Sequence, residues 1–226
     1  MSTGRGPCLA GRRLYLCTPD RPDLERFVAS CVRGGVDVVQ LREKLLDARP
    51  LLGRARLAGR VCAGLGVPFI LNDRPDLALE ADADGVHVGQ DDAPAALARR
   101  ILGPERIVGL STHRLAELEA AAGEPVDYVS AGPVVPTPTK PGRAGTGIDY
   151  VTQAASRCAA WPGRSAPMPF FVTGGVTPDS VGALAAAGAT RFVVVRYLTE
   201  ADDADAEAAA RRLTEAVERA LETAGP

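Results

Sequence analysis

Several features that mark membrane, secreted and nucleic-acid-binding proteins are missing from this sequence. Its 226 residues contain no apolar run of about 18 residues, so no segment is predicted to span a membrane. Residues 1–13 hold glycine, proline and arginine but no apolar stretch of signal-peptide length. The net charge of −2 argues against nucleic-acid binding through bulk positive charge. We therefore expect a soluble, cytoplasmic protein that binds neither membranes nor nucleic acids.

Signals for cysteine pairing are also lacking. The five cysteines are odd in number, scattered along the chain and include no CxxC pair. This pattern is typical of reduced thiols in a cytosolic protein. We expect them to pack in the core, with a functional cysteine as the alternative. They are Cys8, Cys17, Cys31, Cys62 and Cys158.

What the chain does contain is an alternation of short apolar runs and longer amphipathic stretches. The runs predict strands at 14–17, 36–41, 68–71, 85–88, 107–110, 127–131, 170–172 and 192–195. The stretches predict helices at 22–33, 48–63, 75–80, 93–102, 115–122, 150–160, 179–187 and 203–221. Eight units spaced by roughly 28 residues favour an α/β (β/α)8 TIM barrel over a doubly wound sheet. We expect residues 1–12 to be flexible and residues 13–226 to form one catalytic domain.

Polar residues follow the predicted strands, whereas glycine, alanine, proline and scattered charges precede them. Gln40, Arg42 and Lys44 lie at i, i+2 and i+4 at the end of strand two, so an extended chain points them to one face. Two cations and an amide on one face predict a bound anion. The alternative is a solvated strand end. In a barrel, these strand ends meet at one mouth, where we expect the chemistry.

Two aspartates follow adjacent strands. Asp73 comes directly after strand three and Asp92 a few residues after strand four. Paired carboxylates, completed by water and substrate phosphates, are typical ligands of Mg²⁺. The alternative is that each aspartate caps the helix that follows it. As a pair beside two cations, they predict a magnesium site.

Two loops predict a second anion site. The segment 132–142 contains four prolines, so it is a shaped loop in which Thr137, Thr139 and Lys140 offer donors to an anion. The glycines that follow suggest a lid, and a plain connector is the alternative. Gly174 and Gly175 allow backbone N–H groups to approach a phosphate after strand seven.

The histidines are weaker candidates. His87 and His113 could each act as a general base, but no partner for either is visible in the sequence. We expect Gln90 and Ser111 to position a ligand, and Tyr15 and Trp161 to pack. An inventory of two anion sites and one divalent metal, without a nucleophile, favours Mg²⁺-assisted departure of pyrophosphate, helped by Arg42, Lys44 and Lys140.

At these residues the chain resembles the thiamine-phosphate synthase family, over residues 14–198. The matching segments are 39–44, 72–73, 85–92, 132–133, 136–140 and 174–176. The resemblance implies a transferase that condenses 4-amino-2-methyl-5-hydroxymethylpyrimidine pyrophosphate with a thiazole phosphate, carboxylated or not, giving thiamine phosphate and pyrophosphate. It implies a dissociative mechanism, in which the thiazole nitrogen captures the pyrimidine methyl cation.

The resemblance also implies roles for individual residues. The pyrimidine pyrophosphate would be held by Gln40, Arg42, Lys44, Asn72, Ser111 and Lys140, with Arg42, Lys44, Lys140 and Ser111 as the catalytic set. Asp73 and Asp92 would hold Mg²⁺. The thiazole phosphate would be held by Thr137, Thr139, Gly175, Val195 and Arg196.

Some features depart from the family pattern or leave alternatives open. Arg196 stands where a small hydroxyl residue is expected, and segment 160–169 has no predicted role. One alternative is a thiazole tautomerase. The resemblance implies that such an enzyme has a histidine just before the proline of the loop after strand six, where this chain has Gly132. The other is a non-catalytic phosphate-ligand sensor. A homo-oligomer is possible.

Overall fold

A computed structural model describes residues 9–137, 144–201 and 205–225. Eight parallel strands pair in sequence order, and β8 pairs with β1, so the sheet closes into a barrel. The predicted (β/α)8 fold is confirmed. The strands are β1 (Leu14–Thr18), β2 (Val38–Leu41), β3 (Phe69–Asn72), β4 (Gly85–Val88), β5 (Ile107–Thr112), β6 (Tyr128–Ala131), β7 (Phe170–Thr173) and β8 (Phe192–Val194).

Helices follow each strand and cover the outside of the barrel. They are α1 (Leu24–Arg33), α2 (Ala48–Leu65), α3 (Pro75–Glu80), α4 (Ala95–Leu102), α5 (Leu115–Ala120), α6 (Gly147–Ala159), α7 (Val181–Ala186), α8 (Arg196–Thr199) and α9 (Ala206–Ala224). All predicted elements are found, with shifted ends. Helix α8 was not predicted, because four residues are too few to reveal a helical period. Among the described residues, no helix has the length and hydropathy needed to cross a membrane.

The core has two layers, because side chains of a strand alternate between the two faces of the sheet. One layer lies between the strands and the helices. The other fills the amino-terminal part of the barrel interior and contains Leu9, Tyr15, Val38, Ile70, Ile107, Tyr128 and Phe171. The carboxyl-terminal part of the interior is lined by polar side chains instead, so the barrel has an apolar floor beneath a polar mouth.

Two inward-facing glycines make room for this floor. A methyl group on Gly109 of β5 would overlap the ring and hydroxyl of Tyr128 on the adjacent strand β6. A methyl group on Gly85 of β4 would overlap the backbone and Cβ of Ile107 on β5. The bulky residue on one strand therefore requires glycine on its neighbour.

Aspartates join neighbouring strands at the amino end of the barrel. Asp37, Asp84 and Asp127 come just before β2, β4 and β6, and each accepts backbone N–H groups near the start of the preceding strand. The N···O distances are 2.7 and 3.0 Å from Arg13 and Leu14 to Asp37, 2.8 Å from Phe69 to Asp84, and 2.7 Å from Val108 to Asp127. Burial raises the pKa of Asp37 and of Asp84. These contacts stabilise the end of the barrel that lies away from the mouth.

Candidate active site

A cavity of about 330 Å³ opens at the carboxyl ends of the strands. All but one of the predicted site residues that the structure describes line it. One half contains Gln40, Arg42, Lys44, Asn72, Asp92 and Ser111. The other half contains Thr137, Gly175, Val195 and Arg196. Thr139 and Lys140 lie outside the described residues. Asp73 is not part of the lining, but its carboxylate contacts the ammonium group of Lys44, which is.

The two predicted metal ligands meet at the ammonium group of Lys44. Lys44 Nζ lies 2.7 Å from Asp73 Oδ2 and 3.9 Å from Asp92 Oδ1. Burial, followed by a hydrogen bond to Asp92, raises the pKa of Asp73, although Lys44 opposes this. Burial would also raise the pKa of Asp92, but Asp73, the Gly89 N–H and Lys44 together lower it. The two carboxyl groups therefore interact electrostatically, with the pKa of Asp73 raised and that of Asp92 lowered.

The backbone sets the positions of these carboxylates. Asp73 has a φ of 62°, a left-handed conformation that Asp and Asn adopt more readily than most residues. Its N–H donates to the His87 carbonyl oxygen at 2.8 Å, which ties it to the neighbouring strand β4. The carboxylate of Asp92 accepts the Gly89 N–H at 2.9 Å. Neither α3 nor α4 has a side-chain cap at its amino end, so the capping alternative is not supported.

This donor set fits magnesium. It offers carboxylate oxygens from two side chains, both of which contact Lys44. Mg²⁺ is commonly bound by one or two carboxylates, with water and substrate phosphates supplying the remaining ligands. Two nearby carboxylates that repel each other also gain the most from a divalent cation. Asp73 and Asp92 are therefore the residues that would hold it.

The same half of the cavity contains hydrogen-bond donors without an acceptor among the described residues. Asn72 is 5% exposed, and its side-chain nitrogen has no hydrogen-bond partner among the described residues. A buried donor of this kind is costly unless a ligand satisfies it. Arg42 lines the cavity nearby and pairs with no described carboxylate. Both features fit an anionic ligand.

The other half is formed by loops that pack closely. Gly174 and Gly175 have φ values of 95° and 80°. A methyl group on Gly174 would lie 2.6 Å from Pro133 Cα, and one on Gly175 would lie 2.5 Å from a methyl of Val135. Only glycine lets the loop after β7 approach the loop after β6 this closely. Arg196 opens α8 across from these loops.

Below the mouth, a chain of buried polar groups crosses the barrel. Its hydrogen bonds join Cys17 to Gln40 (3.1 Å), Gln40 to Tyr15 (2.8 Å), Tyr15 to Tyr128 (3.0 Å), Tyr128 to His87 (2.8 Å) and His87 to Ser111 (2.9 Å). Burial raises the pKa of both tyrosines. Tyr15 therefore packs in the core as predicted and also forms hydrogen bonds through its hydroxyl. Sequence reasoning missed Tyr128, although its two-residue spacing from Ser130 on β6 indicated an inward face.

The remaining candidates have clear structural partners. His113 Nδ1 lies 2.9 Å from the Glu117 carboxylate, which holds the ring against the first turn of α5. Gln90 lines the cavity, and its Nε2 donates to the Ser111 carbonyl oxygen at 2.7 Å. Trp161 is buried in the outer core, as predicted. The four cysteines that the structure describes are buried and take part in no disulfide.

Gly132 distinguishes this site from that of a tautomerase. Its φ is 141°, a conformation that side-chain-bearing residues rarely adopt. A Cβ atom there would also overlap the Thr173 carbonyl oxygen on β7. A histidine at this position would require the end of β7 to move. The structure therefore has no place for the base of the tautomerase alternative.

Comparison with known proteins agrees with the motifs. The sequence signature of the family described as thiamine monophosphate synthase matches residues 14–198. The chain belongs to the thiamine monophosphate synthase family. It is 43% identical over 224 residues to the thiamine-phosphate synthase of Mycobacterium sp. (strain JLS), covering 94% of this chain and 95% of that protein. It is 47% identical over 206 residues to that of Thermobifida fusca (strain YX), covering 89% and 91%.

Solved structures agree as well. The thiamine phosphate pyrophosphorylase from Pyrococcus furiosus superposes with a TM-score of 0.80 at 27% identity, covering 92% of this chain and 96% of that one. A 3-hexulose-6-phosphate synthase superposes with a TM-score of 0.60 at 20% identity, a level that indicates only a common fold.

Proposed function

We propose that this cavity joins 4-amino-2-methyl-5-hydroxymethylpyrimidine pyrophosphate to a thiazole phosphate, forming thiamine phosphate and releasing pyrophosphate. Thiamine-phosphate synthase activity, a transferase reaction on small molecules, follows from the family and its full-length relatives. The observation that supports the assignment of the site is one cavity lined by Arg42 and Lys44 on one side and by Gly175 and Arg196 on the other, with Lys44 in contact with the carboxylates of Asp73 and Asp92. Its volume of about 330 Å³ lies at the lower end of the usual range for small-molecule sites.

In the first half, the chain's own donors bind the pyrophosphate and stabilise its charge as it leaves. Arg42, Lys44 and Asn72 supply donors at the end of β2 and β3, Ser111 supplies a hydroxyl from β5, and Lys140 is proposed as a further cation. Mg²⁺ held by Asp73 and Asp92 would neutralise charge on the departing oxygens. Because charge grows on the leaving group in the transition state, fixed donors at this position accelerate the reaction. Gln40 would contact the pyrimidine from the polar layer below.

In the second half, we assign Thr137, Thr139, Gly175, Val195 and Arg196 to the thiazole phosphate. Thr137 and Gly175 lie on the loops after β6 and β7, and Val195 and Arg196 lie at the junction of β8 and α8. Backbone N–H groups beside Gly175 and the guanidinium of Arg196 are suitable donors to a phosphate dianion. In this chain Arg196 would replace the hydroxyl donor expected there.

The alternatives have less support. The backbone at Gly132 excludes a tautomerase-type histidine. A sensor without catalysis does not account for Asp73 and Asp92, since two adjacent carboxylates weaken the binding of an anion unless they bind a cation. A cytoplasmic location remains our proposal, supported by four buried cysteines that take part in no disulfide among the described residues. A homo-oligomer also stays a prediction.

A single assay tests the function. The purified protein is incubated with both substrates and Mg²⁺, and pyrophosphate release that depends on the thiazole phosphate is expected. Release without thiazole phosphate would indicate a hydrolase, and substrate binding without release would indicate a sensor. Chelation with EDTA should stop the reaction.

Arg42→Ala tests the leaving-group half. Its single-turnover rate should fall about 100- to 1,000-fold, the usual effect of removing one donor from developing charge. Arg49→Ala removes an exposed arginine from the start of α2 and should retain the wild-type rate. Equal single-turnover rates for the two variants would contradict the role of Arg42.

A further inference from the structure

The polar chain below the mouth ends at a residue of the proposed pyrophosphate site. It runs from the Gln40 amide through the hydroxyls of Tyr15 and Tyr128 to the His87 ring and the Ser111 hydroxyl. Every link is between 2.8 and 3.0 Å, so each is a well-formed hydrogen bond. Tyr15 is 1% exposed and Tyr128 is fully buried, so water does not compete for these bonds.

The Gln40 amide sets the direction of the chain. Its Nε2 atom can only donate, and it donates to the Tyr15 hydroxyl at 2.8 Å, while its Oε1 atom accepts the Cys17 thiol at 3.1 Å. The proton of Tyr15 then goes to Tyr128, the other partner of its hydroxyl. If Tyr128 donated instead, the buried Tyr15 proton would have no acceptor among the described residues, and an unsatisfied buried donor is unfavourable.

This direction determines the tautomer of His87. Tyr128 donates its proton to His87 Nδ1, which is possible only if that nitrogen carries no proton. The neutral ring therefore has its proton on Nε2, which donates to Ser111 Oγ at 2.9 Å. Ser130 also donates to Ser111 Oγ, at 3.4 Å. With these donors against its oxygen, Ser111 directs its own proton into the cavity that it lines.

We propose that Tyr128 is a positioning residue that holds His87 in the Nε2–H tautomer and thereby makes Ser111 a hydrogen-bond donor to the bound anion. The identity of that anion as pyrophosphate rests on the proposed function, whereas the tautomer does not. A donor held against the leaving group strengthens as charge develops, so its loss lowers kcat more than it raises KM.

The tautomer can be measured directly. The chain has two histidines, so protein labelled with ¹⁵N-histidine gives two ring systems, and His113→Asn assigns them. We expect a protonated Nε2 and an unprotonated Nδ1 for His87 in the wild-type protein. Tyr128→Phe removes the donor to Nδ1 and should allow a population with the proton on Nδ1. Tyr15→Phe is the matched control, because it removes a buried hydroxyl but leaves Tyr128 able to donate.

Kinetics provide a second measurement. Tyr128→Phe should lower kcat about 10- to 100-fold, the range typical when a group that orients a functional side chain is removed, with KM nearly unchanged. In the Ser111→Ala background, Tyr128→Phe should have no further effect, because the donor that it orients is already absent. Additive losses would overturn the proposal, as would a wild-type His87 protonated at Nδ1. The wild-type spectrum decides the tautomer even if a variant fails to fold or pyrophosphate is not the ligand.

Discussion

Replacing Asp73 by Asn should separate the stability of the fold from its dependence on magnesium. Asn tolerates the left-handed backbone at φ 62°, so the variant avoids the strain that Ala would add there. The substitution removes the 2.7 Å ion pair with Lys44, which is worth at most about 1 kcal/mol because the lysine side chain is 46% exposed. It also removes an ionised group whose pKa is raised by burial and by Asp92. Without metal, we therefore expect an unfolding free energy within about 1 kcal/mol of wild type.

The ligand-bound state should behave differently. A ligand present at about 100 times its Kd stabilises the fold by about 2.7 kcal/mol. In a chain of this size, that corresponds to a rise in Tm of about 5–10 °C. Wild-type protein should show this rise when Mg²⁺ is added with inorganic pyrophosphate, and Asp73→Asn should lose most of it. Its single-turnover rate should fall by at least about 100-fold and recover partly at high Mg²⁺.

The assay combines thermal unfolding with a Mg²⁺ titration of the single-turnover rate. Asp76→Asn is the matched control, because it removes the same charge from an exposed position on α3. It should respond to Mg²⁺ as the wild type does. The reasoning fails if Asp73→Asn keeps the full magnesium-dependent rise in Tm, or if it loses several kcal/mol of stability without metal.

Two further predictions concern the barrel itself. Gly109→Ala should lower the free energy of unfolding in urea by about 1–3 kcal/mol, because its methyl group displaces the Tyr128 ring. Gly53→Ala, in the middle of α2, places its methyl group in open space and should raise that free energy by up to about 1 kcal/mol. Similar losses in both variants would contradict the packing argument. Burial raises the folded-state pKa of Asp37, so the stability that this carboxyl contributes is fully present below its unfolded pKa of about 3.9 and is lost as the pH rises through its folded pKa. The stability deficit of Asp37→Asn should therefore widen as the pH is lowered through that window in a series of denaturation curves, and a constant deficit would refute the assignment.

Local sequence patterns were sufficient to predict the architecture and to select the residues proposed for the site. Eight apolar runs followed by amphipathic stretches were enough to predict the barrel, since period and length are local properties of the chain. The polar residues at the ends of those runs predicted the mouth. Lys44, Asp73 and Asp92 could be selected from three different strand ends because parallel strands bring their carboxyl ends together. Their meeting around one ammonium group agrees with that expectation.

The contacts inside the barrel, by contrast, could not be predicted from local sequence. Tyr15 and Tyr128 are 113 residues apart, and their hydroxyls meet because both side chains lie in the closed interior of the barrel. Local periodicity tells which face of a strand a side chain takes, but not which distant side chain lies opposite. The sequence likewise gives no reason for a glycine at position 109, which the structure explains by the Tyr128 ring that occupies the space of a side chain there. Closure of the sheet creates these contacts, so no local pattern contains them.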